Sequence, residues 1–215
     1  MKHLIIIGVG GFAREVYWHA QDSIGYGDEW NIKGFLDGDV KLAPEEYEKL
    51  SAPVLGDINT YDAVDDDVFV LAIADPSVKK KLIELAHRRW GGGEALFPNL
   101  IHKSAIIHGT VKMGVGNVLT PHVSLNDHVV IGKFNTFNCG SGIGHDGVVG
   151  DYCSFMGGSG VAGFGRVGNE VYFGTGALVL PHGKVDDEVY VGVKSVVFKH
   201  VRKGQKVFGN PAMPI

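Results

Sequence analysis

Large apolar residues recur at every sixth position through the second half of the chain. The residue two places before each of them is mostly small, as at Ala105, Ser141 and Gly165. Side chains alternate across a strand, so these two positions face the same way. The pattern predicts a β-solenoid of six-residue segments and excludes an amphipathic helix, whose apolar positions recur at spacings near 3.6. The apolar series is Ile107, Met113, Leu119, Leu125, Ile131, Phe137, Ile143, Val149, Phe155, Val161, Val167, Phe173, Val179, Val185, Val191 and Val197.

The first part of the chain has a different pattern, in which continuous apolar runs alternate with helical periodicity. Residues 3–9, 32–36 and 68–74 are such runs and predict buried parallel strands, the second of them followed by Asp37. A helical pattern follows the first run. A strand, a glycine turn, a helix and a strand ending in an acid predict half of a Rossmann-like unit.

Two further segments of this part have local signals. A helix is predicted after the third strand, because Asp75 can cap it and Pro76 fits its first position, and residues 91–93 are glycines that end it. Residues 38–53 form an acidic segment, which predicts an exposed loop with a short helix near residues 44–50. We expect the buried stripe of the long helix to comprise Val78, Leu82, Leu85 and Ala86.

The glycine turn after the first strand is a candidate binding site. Gly8, Gly10 and Gly11 belong to a segment that fits the pattern G-x-G-x-x-A. Backbone N–H groups at the start of the following helix can approach phosphate oxygens, and Asp37 at the end of the next strand suits a sugar hydroxyl. The turn therefore predicts a nucleotide site. The alternative is that the glycines only allow close packing of strand and helix.

Composition narrows the class of protein. The net charge of −4 and the lack of a Lys/Arg run exclude a nucleic-acid-binding surface. No apolar run approaches the ~18 residues that a membrane span needs, and the N-terminal run is too short for a signal peptide. Cys139 and Cys153 fall on repeat positions and predict free thiols in a cytoplasmic protein.

The repeat resembles a known family. Pairs such as Ile131-Gly132 and Val191-Gly192 are similar to the hexapeptide acyltransferases, in which three hexapeptides form one coil of a left-handed parallel β-helix. All three tryptophans precede the repeat. We therefore expect a mixed fold, with an α/β Rossmann-like domain at residues 1–99 and a left-handed β-helix with a C-terminal tail at residues 100–215.

The order of motifs resembles the bacterial nucleotide-amino-sugar N-acetyltransferases, which group with the sialic acid O-acetyltransferases. The motifs that carry this similarity are Gly10-Gly11 before Arg14-Glu15-Val16, Phe35-Leu36-Asp37, and Gly144-His145-Asp146 before Val149-Gly150-Asp151-Tyr152. The resemblance implies transfer of an acetyl group from acetyl-CoA to the amine of a nucleotide-linked 4-amino-4,6-dideoxy sugar, without a metal. It also implies a homotrimer with the donor site between subunits. The alternative is an O-acetyltransferase that acts on a sugar hydroxyl.

The resemblance also assigns roles to individual residues. It makes His145 the catalytic base and places Asn138 against the sugar. Gly163 would meet the thioester end of acetyl-CoA, and Lys194 its nucleotide end. Ser154 stands where close relatives often have a histidine that touches the acetyl oxygen, and we expect it to contact acetyl-CoA there as a different donor-site residue.

His145 also stands out from the sequence itself. It follows an apolar repeat position by two residues, within a glycine-rich run, and Asp146 comes next. Acyl transfer to an amine needs a base that titrates near neutral pH, and a carboxylate can orient the imidazole. Adjacency alone does not establish that pairing, since neighbours in an extended chain point apart. The alternative is an ordinary histidine at a corner.

A zinc enzyme with a β-helix is a competing interpretation. Zinc sites of that kind need convergent histidines, whereas His102 and His108, like His122 and His128, are six residues apart and simply follow the repeat. The spacing gives no ligand set.

Overall fold

The computed structural model describes residues 1–37, 42–91 and 93–215. The described N-terminal residues form β1 (Lys2–Ile7), α1 (Gly11–Gln21), β2 (Trp30–Asp37), α2 (Pro44–Tyr47), β3 (Val54–Asp57), β4 (Asp67–Leu71) and α3 (Pro76–Trp90), followed by a 3₁₀ turn at Gly93–Leu96. The four strands are parallel and lie in the order β3-β2-β1-β4. The three predicted strands are confirmed with ends shifted by a few residues. The edge strand β3 has mixed polarity and is not among the predictions.

Helices cover both faces of this sheet. Leu4 and Ile6 of β1 pack with Ala13, Val16 and Ala20 of α1. The alternate residues Ile5 and Ile7 pack with Leu82, Ile83 and Ala86 of α3. Because successive side chains of β1 enter different cores, the strand is apolar throughout.

The predicted signals at the ends of α3 are confirmed. The Asp75 carboxylate accepts hydrogen bonds from the backbone N–H groups of Ser77 and Val78 at 2.9 and 3.0 Å. The helix ends at Gly91, which has a left-handed φ of 61°, and Gly92 lies outside the described residues. The predicted helix near residues 44–50 is α2, whereas residues 38–41 of the predicted loop are not described.

The predicted buried stripe of α3 is wrong at one position. Val78 is 39% exposed, whereas Lys79 is only 1% exposed. The stripe follows positions 79, 82, 83 and 86, so the helix faces the rest of the molecule about one residue away from the predicted direction. A lysine at such a position carries no apolar signal, and the sequence pattern therefore gives the wrong direction.

The second half of the chain is a parallel β-helix of short strands. As far as Val197, each six-residue segment contributes one two-residue strand, and these strands pair with each other at a separation of eighteen residues, as Val130 does with Val148. The strands are β5 (Leu100–Ile101), β6 (Ile106–Ile107), β7 (Lys112–Met113), β8 (Val118–Leu119), β9 (Ser124–Leu125), β10 (Val130–Ile131), β11 (Thr136–Phe137), β12 (Gly142–Ile143), β13 (Val148–Val149), β14 (Ser154–Phe155), β15 (Gly160–Val161), β16 (Arg166–Val167), β17 (Tyr172–Phe173), β18 (Leu178–Val179), β19 (Lys184–Val185), β20 (Tyr190–Val191), β21 (Val196–Val197), β22 (His200–Val201), β23 (Lys206–Phe208) and β24 (Met213–Pro214).

These strands form three sheets, which we call the first, second and third faces in the order in which the chain visits them. The first face is β5-β8-β11-β14-β17-β20-β23-β24, the second is β6-β9-β12-β15-β18-β21, and the third is β7-β10-β13-β16-β19-β22. The predicted inward positions form one core, in which Phe137, Phe155 and Phe173 stack at 4.9 and 4.7 Å. The six-residue repeat is therefore confirmed.

The period changes at the C-terminal end. After Val197 the next inward residues are Val201 and Val207, so β19 pairs with a strand only sixteen residues away, Lys184 opposite His200. The chain then reverses, and β24 pairs antiparallel with β23. This last strand covers the open edge of the first face.

The N-terminal part packs against the first face and its adjoining corner. Leu100 and Val118 join the core beneath α1, and Phe134 joins the core beneath α3. The Lys79 ammonium group of α3 lies 2.8 Å from the carbonyl oxygen of Cys153 and 3.2 Å from the Thr136 hydroxyl. The two halves of the chain thus share a packed, hydrogen-bonded interface.

Candidate active site

His145 and Asp146 lie at the corner between the second and third faces, which we call the His145 corner. Asp146 has a left-handed φ of 57°, so the chain turns sharply after His145. Its carboxylate thereby comes back to 2.9 Å from Nδ1 of His145. The chain is therefore not extended at this corner, and the neighbouring side chains of His145 and Asp146 meet.

Two further contacts hold the corner. The backbone N–H of Asp146 donates to the carbonyl of Asp127 on the preceding coil at 2.9 Å. The Arg166 guanidinium donates to the carbonyl oxygen of Asp146. Because a carboxylate only accepts hydrogen bonds, Nδ1 of a neutral His145 carries the proton and Nε2 has the free lone pair.

Gly163 on the following coil lies against this free nitrogen. A methyl group added to its Cα would lie 2.6 Å from Nε2 of His145. A methyl group on Gly144 would lie 2.6 Å from the backbone nitrogen of Gly163. The glycines therefore create the space that the imidazole occupies, with the bare Cα of Gly163 against its Nε2 edge.

A shallow groove with a volume of about 350 Å³ runs along the second face beside this corner. Its floor is bare backbone at Gly142 and Gly160, which allows an extended molecule to approach closely. The groove is lined by Ser124, Asn126, Gly140, Gly142, Ile143, Gly144, Gly158, Ser159, Gly160, Val161, Ala162, Leu178, Val179 and Leu180.

The structure places Asn138 and Lys194 at a different corner, between the first and second faces. Strand β12 (Gly142–Ile143) separates Asn138 from His145. Asn138 is partly buried and accepts a hydrogen bond from the backbone N–H of Cys139 at 2.7 Å. Lys194 is exposed with a left-handed φ of 53°. One chain therefore does not bring these two residues to the His145 corner.

Ser154, which we expect to contact acetyl-CoA, lies in β14 on the first face rather than at the His145 corner. Its side chain points outward from the first face but is fully buried. The neighbouring Cys153 and Thr136 both contact Lys79 of α3, so the N-terminal part covers this stretch of the face. The sequence could not show this, because burial here depends on how the two halves pack.

The second candidate site lies at the carboxyl ends of the N-terminal strands. Gly10 caps α1, and Gly11 is its first residue. The strand order reverses beside β1, with β2 on one side and β4 on the other, and parallel sheets bind ligands in the crevice at such a point. Asp37 ends the adjacent strand β2.

The glycines of this turn have different roles. Gly8 has a φ of 120°, and a methyl group there would lie 3.0 Å from the carbonyl oxygen of Ala72, so packing requires glycine. A methyl group on Gly10 would meet nothing within 4 Å, and one on Gly11 would meet only Arg14 at 3.8 Å. Packing therefore explains Gly8 but not the bare backbone of Gly10 and Gly11.

Sequence reasoning missed two side chains near this turn. The Tyr47 hydroxyl of α2 donates a hydrogen bond to Asp37, and this bond raises the pKa of Tyr47 above its ordinary value. Arg14 pairs with Glu46 of the same short helix at 2.9 Å. Both contacts depend on where α2 folds back, which no local pattern indicates.

Both cysteines are free, as predicted, with Cys139 exposed and Cys153 buried. Burial raises the pKa of the Cys153 thiol to about 12. In the described part of the chain, no cluster of three or more His, Cys, Asp or Glu side chains has the geometry to hold a metal ion. No helix among the described residues is long and apolar enough to cross a bilayer.

Comparisons with known proteins agree with the two-part architecture. Residues 3–86 match the family of the PglD N-terminal domain. The chain is 28% identical over 119 residues to the UDP-N-acetylbacillosamine N-acetyltransferase of Bacillus subtilis (strain 168), a match that covers 55% of this chain and 51% of the relative. The alignment thus spans about half the length of that curated relative.

Solved structures are similar over the whole chain. The acetyltransferase domain of PglB from Neisseria gonorrhoeae FA1090 in complex with acetyl coenzyme A is 25% identical, with a TM-score of 0.84 and coverage of 100% of this chain and 99% of that one. PerB from Caulobacter crescentus in complex with CoA and GDP-perosamine is 26% identical, with a TM-score of 0.85 and coverage of 100% of this chain and 98% of that one. WeeI from Acinetobacter baumannii AYE is 27% identical, with a TM-score of 0.82 and full coverage of both chains.

Proposed function

We propose that the protein transfers the acetyl group of acetyl-CoA to the amino group of a nucleotide-linked amino sugar of the 4-amino-4,6-dideoxy type, with His145 as general base. The observation that carries the proposal is the His145 corner, where Asp146 holds Nδ1 at 2.9 Å and leaves Nε2 beside the bare backbone of Gly163. The similar proteins support the reaction class, since their names or bound molecules are those of acetyltransferases that use CoA and nucleotide sugars.

The chemistry follows from these positions. Nε2 of His145 accepts a proton from the sugar amine as its nitrogen attacks the thioester carbonyl. The backbone N–H of Gly163 is the donor that we assign to the resulting oxyanion. When the intermediate collapses, the C–S bond breaks and the imidazolium returns the proton to the departing CoA thiolate. Asp146 accepts the hydrogen bond from Nδ1–H throughout, stays ionised and stabilises the imidazolium.

The acceptor is proposed to bind through the N-terminal, Rossmann-like domain. The N–H groups at the start of α1, exposed by Gly10 and Gly11, suit the diphosphate, and Asp37 suits a hydroxylated ring. Gly8 supports this turn through packing. Acetyl-CoA is proposed to lie along the glycine-floored groove of the β-helix, which we take to be left-handed because its hexapeptides match that architecture.

The complete site is proposed to form between subunits of a homotrimer. Asn138 and Lys194 lie across the second face from His145, so a second copy is needed to bring them to the base. Exposed apolar residues that suit such contacts lie on and around this face, namely Leu178, Val193 and Phe198. The exposed free thiol of Cys139 is consistent with a reducing, cytoplasmic compartment. A monomeric mass at micromolar concentration, measured by light scattering, would contradict this assembly.

The test is an acceptor screen with acetyl-CoA, in which release of free thiol is followed. UDP- and GDP-linked 4-amino sugars are compared with the corresponding 4-hydroxy sugars and with free sialic acid. We expect thiol release only with the amino sugars and a product that resists hydroxylamine, as an amide does. A hydroxylamine-sensitive product from a hydroxyl acceptor would instead establish the O-acetyltransferase alternative, and no turnover with any nucleotide sugar would overturn the proposal.

A further inference from the structure

A column of aromatic side chains continues from His145 along its corner. The ring of Phe164 meets the imidazole of His145 edge to face, with centroids 5.1 Å apart and planes at 88°. Phe164 also stacks on His182, with centroids 4.8 Å apart and planes only 2° from parallel. Three rings on successive coils thus form one chain of contacts that ends at the proposed base.

The backbone fixes the places of these rings. The N–H of Phe164 donates to the carbonyl of His145 at 2.9 Å, and the N–H of His182 donates to the carbonyl of Gly163 at 3.1 Å. Phe164 and His182 have left-handed φ angles of 59° and 62°, which bulky side chains rarely adopt. The backbone hydrogen bonds between successive coils therefore hold Phe164 and His182 where their rings meet, at some cost in local backbone energy.

Burial does not account for the arrangement. Phe164 is 41% exposed, and the His145 side chain is 59% exposed. An exposed imidazole has several rotamers of similar energy unless neighbours restrict it. Edge-to-face and stacked pairs of rings are favoured over random contacts. The column therefore restricts the orientations of the three rings that it joins.

We infer that Phe164 is a positioning residue for His145 and that His182 acts through Phe164. This inference rests on the proposed function, because it concerns the orientation of the base. Asp146 fixes Nδ1, the bare Cα of Gly163 lies against the ring atoms, and Phe164 closes a third side. Nε2 is thereby kept in one direction, and a base that turns away from the attacking amine loses rate even if both substrates still bind.

The kinetic test replaces the ring while keeping apolar bulk. Phe164→Leu should lower kcat roughly three- to tenfold, the scale of one aromatic pair, with the KM of both substrates unchanged. Phe164→Tyr keeps the ring and should restore kcat. His182→Ala should lower kcat roughly two- to threefold, and His182→Phe should restore it. His128→Ala is the matched control, because His128 has a left-handed φ at the same corner but pairs with Asp127.

An NMR measurement on the protein without substrate tests this inference independently of the proposed function. In proton–carbon NMR spectra of histidine-labelled protein, assigned through His145→Gln, the ring of Phe164 should displace the Cε1–H signal of His145. Phe164→Leu should move that signal toward the value of an exposed histidine, and His128→Ala should leave it in place. This measurement needs no substrate, so it remains decisive even if the acceptor screen shows no acetyl transfer.

The outcomes divide cleanly. A lower kcat with unchanged KM, together with a displaced His145 signal that Phe164→Tyr retains, supports the inference. Unchanged kcat in Phe164→Leu overturns it. A raised KM at constant kcat also overturns it, because Phe164 would then be a wall of a substrate site. An unchanged His145 signal in Phe164→Leu overturns it whatever the enzyme's activity.

Discussion

At the scale of single residues, the His145 side chain is more than half exposed. Its orientation therefore depends on a few neighbouring residues rather than on a buried pocket. The left-handed conformation of Asp146 turns a carboxylate back onto Nδ1, and Gly163 leaves room for Nε2. The sequence predicted His145 and its adjacent acid, because the repeat places them at a corner among glycines. It could not predict their contact, since that depends on one φ angle.

A change at Gly163 tests whether this space matters. In Gly163→Ala the new methyl group would start 2.6 Å from Nε2 of His145, so the imidazole must move away. We expect kcat to fall roughly 10- to 100-fold, as misplacement of a reacting group by about 1 Å commonly does. Steady-state kinetics measure the effect.

Gly109→Ala is the matched control for this substitution. Gly109 lies in the same column of the β-helix, where an added methyl group meets nothing within 4 Å. It should keep wild-type kcat. Equal activity of the two variants would show that the close approach of Gly163 to the imidazole has no role in turnover.

At the scale of elements, the repeat determines the β-helix while tertiary contacts determine the docking of α3. Every hexapeptide repeats the same inward pair, so the apolar series predicts the strands with almost no error. Helix α3 has the predicted ends, but its buried face includes Lys79 and leaves the predicted Val78 exposed. Nothing in a local apolar pattern marks a lysine whose partners are the carbonyls of Phe134 and Cys153 on a distant segment.

Lys79 should make the stability of the protein depend on pH. Burial lowers the pKa of its amine to about 7, whereas the unfolded value is near 10.4. Between these values the unfolded chain binds more protons, so this group adds stability as pH rises from about 7 toward 10. Below pH 7 the Lys79 amine is charged in both the folded and the unfolded protein, so it no longer makes the free energy of unfolding depend on pH.

Comparison with Lys79→Met isolates that effect, since all other titrating groups are shared. The free energy of unfolding of the wild type, minus that of Lys79→Met, should increase between pH 7 and 9 by up to about 1.4 kcal/mol per pH unit. Denaturant unfolding at pH 6, 7, 8 and 9 measures this difference. Curves that stay parallel would show that Lys79 keeps its proton in the folded state.

At the scale of the whole molecule, the proposed function divides the work between the two halves. In that proposal the N-terminal domain would hold the acceptor, and the β-helix would bind acetyl-CoA and perform the transfer. The change of period predicts the two halves, the glycine turn predicts a nucleotide site in the first half, and the resemblance implies an acetyl-CoA site in the second. The resemblance places Ser154 at the donor site, whereas the burial of Ser154 on the first face depends on how the two halves pack, which no local pattern indicates.

Substitutions at the glycine turn test this division. Gly10→Val adds a side chain whose Cβ meets no protein atom within 4 Å. We therefore expect the variant to fold, which its melting curve checks, while the phosphates lose their approach. Asp37→Ala removes the carboxylate proposed for hydroxyl groups. Both variants should raise the acceptor KM roughly tenfold or more, while the acetyl-CoA KM and kcat stay unchanged. A Gly10→Val enzyme that binds the nucleotide sugar normally would make this turn a packing device.

The most direct test of the central claim is the turnover of His145→Ala with acetyl-CoA and the best amino-sugar acceptor from the screen. We predict that kcat falls roughly 10²- to 10⁴-fold, the usual loss for a general base, with little change in the acetyl-CoA KM. Asp146→Asn should lose less, because Asp146 orients the imidazole without transferring the proton, and His128→Ala should keep full activity. Near wild-type turnover of a folded His145→Ala protein would contradict the assignment of His145 as the base.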